Sequence, residues 1–342
     1  MTSAAVGGLL LLGAFLLAGY HFRGRRRPEI ARNPGEDGEA EVAVVLAEPV
    51  SEQPSWLRLQ PKVQESSEFS RETPERIGSY QILETLGRGG MATVFRARDT
   101  RDHRMVALKV VRPEMHQNSD FMRRFEREIE LSKDLKHPNL VEVFEAGLMD
   151  NQLCMAMEVV EGLTLEEILE SGPLPLEDFP LLASQVASGL HFAHRRNLFH
   201  RDMKPANIVV ARDGTLKILD FGLAIEEGQD RFTVVGFSMG TPTYMAPEAF
   251  TAGLSDAQSD QYSLGVVFYH MLTGLVPFRG DKPVDVARGH VQVAPTPPTT
   301  LRPEVPGEWE DIVLRMLSKS PQDRFASLQD VRTRLNTALL QS

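Results

Sequence analysis

Two short apolar segments around the dipeptide Asp213-Gly214 constrain the fold more than any other part of this sequence. They read Ile208-Val209-Val210 and Leu216-Lys217-Ile218-Leu219, and an Asp-Gly pair between such segments predicts a tight β-hairpin. Antiparallel pairing then brings Asn207, at the start of one strand, beside Asp220, at the end of the other, roughly 5 Å apart. Two oxygen donors that face one cavity favour Mg²⁺ over zinc or copper.

Charged residues precede this hairpin. Asp202 and Lys204 lie within a few residues of the cavity that Asn207 and Asp220 face, and they supply a base and a cation. Taken singly, each of these residues is also explained as a surface charge in a loop. Taken together, they indicate a functional site.

A glycine-rich loop lies further towards the N-terminus. It approximates the pattern G-x-G-x-x-G, with Ala92 in place of the third glycine, and contains Gly87, Arg88, Gly89 and Gly90. Residues 93–97 alternate like a strand, whereas a dinucleotide-binding fold needs a helix at this point. The loop therefore predicts a hairpin whose backbone N–H groups cover phosphates.

The next strand and helix predict an ion pair. Residues 106–109 place the Lys109 ammonium in an apolar run, where a charge needs a partner or a ligand. Residues 121–135 have the apolar period of a helix, and Glu128 lies within the apolar stripe. We therefore expect Lys109 to pair with Glu128; the alternative is a Glu128 carboxylate that reaches solvent at the edge of the stripe.

The order of the elements indicates an α+β fold. Strand-like segments cover residues 80–86, 91–98 and 105–111, and helical segments dominate from Leu163 onward, apart from the hairpin. This layout predicts a small, strand-rich N-terminal lobe and a larger helical C-terminal lobe.

Composition excludes several classes of protein. The 342 residues carry a net charge of −10, the wrong sign for binding nucleic acid over a broad surface. The single cysteine, Cys154, excludes an intramolecular disulfide and a cysteine-based zinc site, and we interpret it as a buried strand residue. His191 and His194 lie on a predicted helix and are interpreted as core packing, because no third metal ligand is evident.

The N-terminal residues predict a membrane anchor and a linker. Residues 4–20 carry no charge, and a helix of that length spans roughly 25 Å. Four arginines follow, which predicts that residues 1–27 cross the cell membrane once and leave the rest of the chain in the cytoplasm. A cleaved signal peptide or a buried helix is the alternative. A homodimer stays open, but the small-residue pairs in the span are common by chance and do not argue for it. Residues 28–77 predict an acidic, Pro-rich disordered linker before a folded domain at 78–342.

Residues 78–335 resemble the protein kinase catalytic domain, and the loop at 86–95 resembles that of bacterial Hanks-type Ser/Thr kinases. The resemblance rests on residues 199–207, on Asp220-Phe221-Gly222 and on Ala246-Pro247-Glu248. It implies a two-lobed kinase fold that transfers the γ-phosphoryl group of ATP to Ser or Thr hydroxyls of proteins, with Mg²⁺ or Mn²⁺, in membrane-proximal signalling.

The resemblance also implies roles for the site residues. Lys109, oriented by Glu128, would hold the α- and β-phosphates, while Asn207 and Asp220 would bind the metal ion. Asp202 would accept the proton of the substrate hydroxyl, and Lys204 would neutralise charge near the γ-phosphate. Other residues implied to contact the nucleotide are the glycine-rich loop, Val94, Ala107, the gatekeeper Met157, and the hinge residues Glu158 and Val160.

Residues 220–248 would form the activation segment. They span 29 residues without clear periodicity, which predicts mobility. A phosphate on Thr233 would pair with Arg201, and Ser238 is the second candidate. Nearby acidic residues would repel that phosphate, so we expect autophosphorylation with only modest activation. Thr241 would brace the catalytic aspartate and lysine, as in kinases that act on Ser and Thr.

Two other functions compete with an active protein kinase. A membrane-tethered pseudokinase scaffold would be expected to lack a residue of the catalytic set, but the chain retains Lys109, Asp202, Asn207 and Asp220. A small-molecule kinase would lack a peptide platform. Here residues 240–248 resemble the substrate-docking segment of protein kinases, in which Glu248 would pair with Arg324, and Asp260 matches a further family position.

Overall fold

The computed structural model describes residues 74–90, 92–113, 129, 135–221, 242–253 and 255–341. The predicted anchor and most of the predicted linker lie outside these residues, as do Glu128, Thr233, Ser238 and Thr241. Within the described part of the chain, no helix is long and apolar enough to cross a membrane.

An antiparallel sheet forms the N-terminal lobe. Its strands are β1 (Arg76–Ile77), β2 (Tyr80–Arg88), β3 (Ala92–Asp99), β4 (Met105–Val111), β5 (Val143–Met149) and β6 (Gln152–Met157), in the spatial order β1-β2-β3-β4-β6-β5. The three strands predicted from the sequence are present as β2, β3 and β4. Cys154 is buried in β6, as predicted, and burial raises the pKa of its thiol to about 12.

Strands β5 and β6 form a hairpin that was not predicted. Asp150 and Asn151 make its two-residue turn, with φ angles of 47° and 60°. The Asp150 carboxylate also accepts a hydrogen bond from the Gly78 amide at 2.6 Å, which ties this turn to the loop after β1. Asp and Asn tolerate the left-handed conformation better than most residues, so this dipeptide was the available signal.

The folded part of the chain includes residues before the predicted boundary at residue 78. Ile77 is 1% exposed and belongs to the apolar core of the N-terminal lobe. The Glu75 carbonyl accepts a hydrogen bond from the Ile82 amide at 3.0 Å. Residues 75–77 therefore pack with the sheet, because burial of Ile77 stabilises that conformation.

Helices form most of the C-terminal lobe. They are α1 (Leu165–Leu169), α2 (Phe179–His194), α3 (Pro247–Thr251), α4 (Ala257–Thr273), α5 (Pro283–Gln292), α6 (Pro298–Leu301), α7 (Gly307–Met316) and α8 (Leu328–Gln341). Helix α4 is buried on nearly all sides and packs against α2 and α7. Asp256 caps its N-terminus, and Gly274, at a φ of 71°, ends it. This helix is the rigid base beneath the site described below.

The predicted hairpin is present and belongs to a three-stranded sheet. Strands β7 (Gly162–Thr164), β8 (Ile208–Ala211) and β9 (Leu216–Ile218) lie side by side in that order. Strand β7 was not predicted. A Cβ on Gly162 would lie 2.2 Å from the Val210 carbonyl oxygen, so glycine is what allows β7 to approach β8.

Of the helix predicted over residues 121–135, the structure describes only the residues Ile129 and Leu135. Ile129 is helical and buried, as the apolar stripe predicts. Leu135 is also buried but is not helical, so the helix ends before the predicted boundary.

Candidate active site

Three polar residues of the loop before β8 contact one another. The Lys204 ammonium donates a hydrogen bond to Asp202 Oδ2 at 2.7 Å. The Asn207 side-chain nitrogen donates to the Asp202 carbonyl oxygen at 2.7 Å and to Asp202 Oδ2 at 3.2 Å. Because its nitrogen is directed at Asp202, the Asn207 side chain has its oxygen to offer a cation.

Asp220 lies at the same end of the hairpin as Asn207. The Leu219 amide donates to the Asn207 carbonyl oxygen at 2.9 Å, so Asn207 faces Leu219 and Asp220 follows one residue later. The φ of Asp220 is 54°, which turns the chain away from the strand direction. An amide oxygen and a carboxylate are hard donors, and this pair fits Mg²⁺ whose remaining ligands are phosphate oxygens and water.

Lys109 pairs with Asp220. Lys109 Nζ lies 2.7 Å from Asp220 Oδ1, and the lysine side chain is only 14% exposed. Lys109 lies in the middle of β4, where Val94 and Met155 flank it on the neighbouring strands. The contact brings a cation of the N-terminal lobe to a carboxylate of the C-terminal lobe. The predicted pairing with Glu128 lies outside the described residues and stays a prediction.

Asp260 fixes the backbone directly before Asp202 through hydrogen bonds. It is 1% exposed on α4, and its carboxylate accepts hydrogen bonds from the His200 amide at 2.7 Å, the Arg201 amide at 2.7 Å and His194 Nε2 at 2.8 Å. Burial alone would raise the pKa of Asp260, but the hydrogen bond and charge of His194 and the hydrogen bond from the His200 amide outweigh it, so the pKa is lowered. Three donors on one buried carboxylate fix the chain beside Asp202, where Arg201 has a φ of 65°.

His200 joins this loop to the hairpin. Its Nε2 lies 2.8 Å from the Leu219 carbonyl oxygen, which only accepts, so Nε2 carries a proton and donates it. Its Nδ1 accepts a hydrogen bond from the Asp202 amide at 3.3 Å. The fully buried ring therefore couples the position of Asp202 to that of Leu219, directly before Asp220.

An apolar cluster lies beside these polar groups. Ala107, Val141 and Met157 are its buried members, and Val94, Val159, Val160 and Leu219 pack against them. The structure therefore brings together the apolar side chains expected to contact the nucleotide. Val141, Val159 and Leu219 join them without having been identified from the sequence. Such a cluster suits a flat, largely apolar ring system such as adenine.

The glycine-rich loop and the hinge flank this cluster. Gly87 ends up within β2, and the Gly89 amide donates to the Ala92 carbonyl oxygen at 2.8 Å. A Cβ on Gly87 would meet nothing within 4 Å, so the space around it is open. The Glu158 amide donates to the Glu142 carbonyl at 2.9 Å, so the Glu158 backbone has its carbonyl rather than its N–H to offer a ligand. The Glu158 side chain pairs with Lys217 at 2.8 Å.

A buried ion pair fixes the segment expected to dock the substrate. Arg324 is fully buried along its side chain and contacts Glu248 through two hydrogen bonds of 2.7 and 2.8 Å. Burial opposes the charge on Glu248, but the hydrogen bond and charge of Arg324 outweigh it and lower the pKa of the carboxyl. Glu248 thus anchors the start of α3. Of the predicted regulatory residues, the structure describes Arg201 alone, next to Asp202.

Comparison with known proteins decides the family. Residues 80–335 match the family model described as the protein kinase domain. The chain belongs to the protein kinase family. Kinases of this family use ATP with Mg²⁺ or Mn²⁺, and the oxygen donors, lysines and apolar cluster described above fit that pair of ligands.

Individual relatives confirm the resemblance to bacterial Ser/Thr kinases. The chain is 36% identical over 262 residues to serine/threonine-protein kinase PrkC of Bacillus subtilis, covering 76% of this chain and 40% of PrkC. It is 36% identical over 271 residues to PknB of Mycobacterium tuberculosis, covering 77% and 43%. The crystal structure of the M. tuberculosis PknI kinase domain superposes with a TM-score of 0.61 at 28% identity, over 77% of this chain and 97% of that one. The chain thus spans about two fifths of the length of PrkC and PknB.

Proposed function

We propose that this chain is an active, ATP-dependent serine/threonine protein kinase. One observation carries the proposal: Lys204, Asp202 and Asn207 are hydrogen-bonded to one another, and the same hairpin end presents Asp220 to Lys109 at 2.7 Å. A base, two cations and two metal-binding oxygens are therefore assembled from separate parts of the chain. Phosphoryl transfer needs this combination, because its catalysis is mostly positioning and charge stabilisation.

Each residue has a distinct role in the proposed reaction. Asp202 accepts the proton of the acceptor hydroxyl as its oxygen attacks the γ-phosphorus. Lys204, beside the same carboxylate, places positive charge near the transferred group, and Lys109 binds the phosphates on the other side of the cleft. Mg²⁺, when bound by Asn207 and Asp220, would neutralise charge on the phosphate oxygens.

Two features favour phosphoryl transfer to proteins over the two competing functions. A scaffold without catalysis has no use for Asp202 as a base, yet the loop backbone around it is fixed by buried hydrogen bonds to Asp260. A small-molecule kinase has no use for a peptide platform, yet Arg324 anchors the docking segment through Glu248.

Transfer to a peptide array tests the proposal. We expect the purified chain, given ATP and Mg²⁺, to form phosphoserine and phosphothreonine, and we expect Lys109→Met and Asp220→Asn to abolish transfer. Lys136→Met is the matched control, because that side chain is 78% exposed. Phosphorylation mainly on tyrosine, or equal transfer by Asp220→Asn, would contradict a Ser/Thr kinase that uses this site. Inactivity of the wild-type chain would favour the scaffold.

We also propose that the kinase is tethered to the cell membrane. Residues 1–27 would anchor it, residues 28–77 would link it, and the kinase domain at 78–342 would lie in the cytoplasm, where ATP is available. The support is the uncharged segment 4–20 and the arginines that follow it. As a flexible coil of about 50 residues, the linker would separate its ends by roughly 40 Å, which keeps substrates near the membrane within reach.

Autophosphorylation would regulate the kinase only modestly. The proposed phosphate on Thr233 would pair with Arg201, whose amide donates to Asp260 and whose backbone is therefore fixed beside Asp202. Three acidic residues, Glu226, Glu227 and Asp230, weaken that switch by repelling the phosphate. Ser238 is the second candidate site. Phosphatase treatment and Thr233→Ala should each lower activity by much less than about a hundredfold.

A further inference from the structure

Two histidines from different helices contact one turn of the docking segment. This 3₁₀ turn, Pro242–Tyr244, precedes α3. His290 of α5 lies with Nε2 3.0 Å from the Thr243 carbonyl oxygen. His270 of α4 lies with Nδ1 3.0 Å from the Tyr244 hydroxyl. Neither histidine was identified from the sequence, because 47 and 26 residues separate the partners.

The partners of His290 fix its tautomer. A carbonyl oxygen only accepts hydrogen bonds, so Nε2 carries the proton and donates it to Thr243. Nδ1 then accepts a hydrogen bond from the Tyr262 hydroxyl at 3.0 Å. His290 is fully buried, and Phe278 contacts its ring edge-on at a centroid distance of 4.8 Å. Burial, and secondarily the charge of Lys319, lower the pKa of His290 to about 4, so the neutral donor–acceptor form persists at neutral pH.

The end of α5 is itself held in place. The Lys319 ammonium donates to the carbonyl oxygens of Gly289 and His290 at 3.1 and 2.7 Å. Lys319 also lies 4.2 Å from the centre of the Phe278 ring. These contacts hold the backbone at His290 in place. Its hydrogen bond to Thr243 therefore ties the turn Pro242–Tyr244, called the docking turn below, to α5.

Tyr244 and His270 form a second link of the same kind. Burial raises the pKa of the Tyr244 hydroxyl and lowers the pKa of His270, so both groups are neutral and the hydroxyl and Nδ1 share one hydrogen bond. His270 lies near the C-terminal end of α4, the buried helix that also carries Asp260. The docking turn is therefore bonded to the helix that positions the catalytic loop.

We propose that His290 and His270 are positioning residues for the peptide substrate, which hold the turn Pro242–Tyr244 in the orientation that the peptide requires. The inference rests on the proposed kinase function. Neither side chain belongs to the Lys109–Asp220 or Asp202–Lys204 contacts. Loss of either link should therefore weaken peptide binding and leave ATP binding and the chemical step unchanged.

Substitutions that remove the hydrogen bonds of His270 and His290 to the turn provide the sharpest test. Tyr244→Phe removes only the bond to His270 and should raise the peptide KM about fivefold, the effect of one neutral hydrogen bond. His290→Phe should raise it about tenfold or more, since both ring hydrogen bonds are lost. His290→Gln supplies an amide N–H group as donor and a carbonyl oxygen as acceptor, and it should largely restore the wild-type value. ATP KM and kcat should stay within about twofold in all three.

Tyr269→Phe is the matched control. Tyr269 lies on α4 and donates to the Thr296 carbonyl at 2.8 Å, outside the docking segment, so its loss should leave peptide KM unchanged. The probe is the acceptor peptide that the wild-type chain selects from the array, and thermal unfolding checks that each variant folds. If His290→Phe does not fold, Tyr244→Phe decides.

Three outcomes would overturn the inference. These are an unchanged peptide KM in the folded variants, an equal rise in Tyr269→Phe, and a parallel rise in ATP KM. Inactivity of the wild-type chain would overturn the proposed function and this inference with it. An active wild-type chain whose variants keep its peptide KM would overturn the inference alone.

Discussion

Asp202 is the residue through which the chemistry is most directly tested. Asn at this position keeps an oxygen for the contacts with Lys204 and Asn207 but cannot accept the proton, so we expect Asp202→Asn to lower kcat by roughly 10² to 10⁴. ATP affinity should be retained, because Lys109 and Asp220 are unchanged. Single-turnover assays and nucleotide titration measure the two quantities. The exposed Asp102→Asn is the control, and near-normal turnover of pure Asp202→Asn would refute the role.

Residues that support Asp202 could not be predicted in the same way. The catalytic loop was recognised because its functional residues lie within six positions, from Asp202 to Asn207. Its supports come from far along the chain: His200 and Asp260 are 60 residues apart, and His194 and Asp260 are 66 apart. His194 was interpreted as core packing, and its side chain is only 9% exposed, but no local pattern indicates its hydrogen bond to Asp260 of α4. Such pairs become visible only when the helices are packed.

At the scale of elements, turn chemistry decided which hairpins were predictable. Asp213-Gly214 is a strong signal, with Gly214 at a φ of 83°, and the β8–β9 hairpin follows from it. Asp150 and Asn151 both adopt positive φ without a glycine, so the β5–β6 hairpin was overlooked. Strand β7 has only three residues and is held to β8 by a close approach at Gly162. No periodicity exists over so short a segment.

The left-handed backbone of the Asp150-Asn151 turn predicts how substitutions of Asn151 change stability. A β-branched residue at the left-handed position of Asn151 is strained, so Asn151→Val should lower the free energy of unfolding by about 1–2 kcal/mol. Asn151→Gly is the matched control and should be neutral or slightly stabilising, since glycine adopts positive φ without strain. Asp150 is left intact because it binds the Gly78 amide. Denaturant unfolding measures both; equal stability of the Val and Gly variants would show that the turn relaxes.

For the whole molecule, buried groups in the C-terminal lobe link folding to pH. The pKa of His290 is lowered from 6.5 to about 4, while hydrogen bonds and opposite charge lower the pKa values of Asp260 and Glu248 in spite of their burial. In each case the unfolded chain binds more protons than the folded chain as the pH falls. The free energy of unfolding therefore decreases on acidification, and His290 acts in the window between pH 6.5 and 4.

Removal of His290 isolates its share of this pH dependence. A shift from 6.5 to about 4 corresponds to about 3 kcal/mol, present above pH 6.5 and lost as the pH falls to 4. His290→Gln has no titrating ring, so its unfolding free energy should change less than that of the wild type across this window. Denaturant unfolding from pH 4.5 to 7.5 measures both curves. Parallel curves would show that His290 does not titrate differently in the two states.

The proposed membrane tether is also a property of the whole molecule. It can be tested independently of catalysis, because the proposed anchor and the site use different residues. Every residue placed in the site lies between Gly87 and Arg324, and the described sheet begins at Arg76. Deletion of residues 1–27 should therefore release the kinase from membranes and leave kcat and peptide KM within about twofold of the full chain, because no part of the site is removed. In intact cells, the kinase domain of the full chain should resist external protease. Digestion from outside, or an unchanged membrane fraction after the deletion, would contradict the proposed anchor.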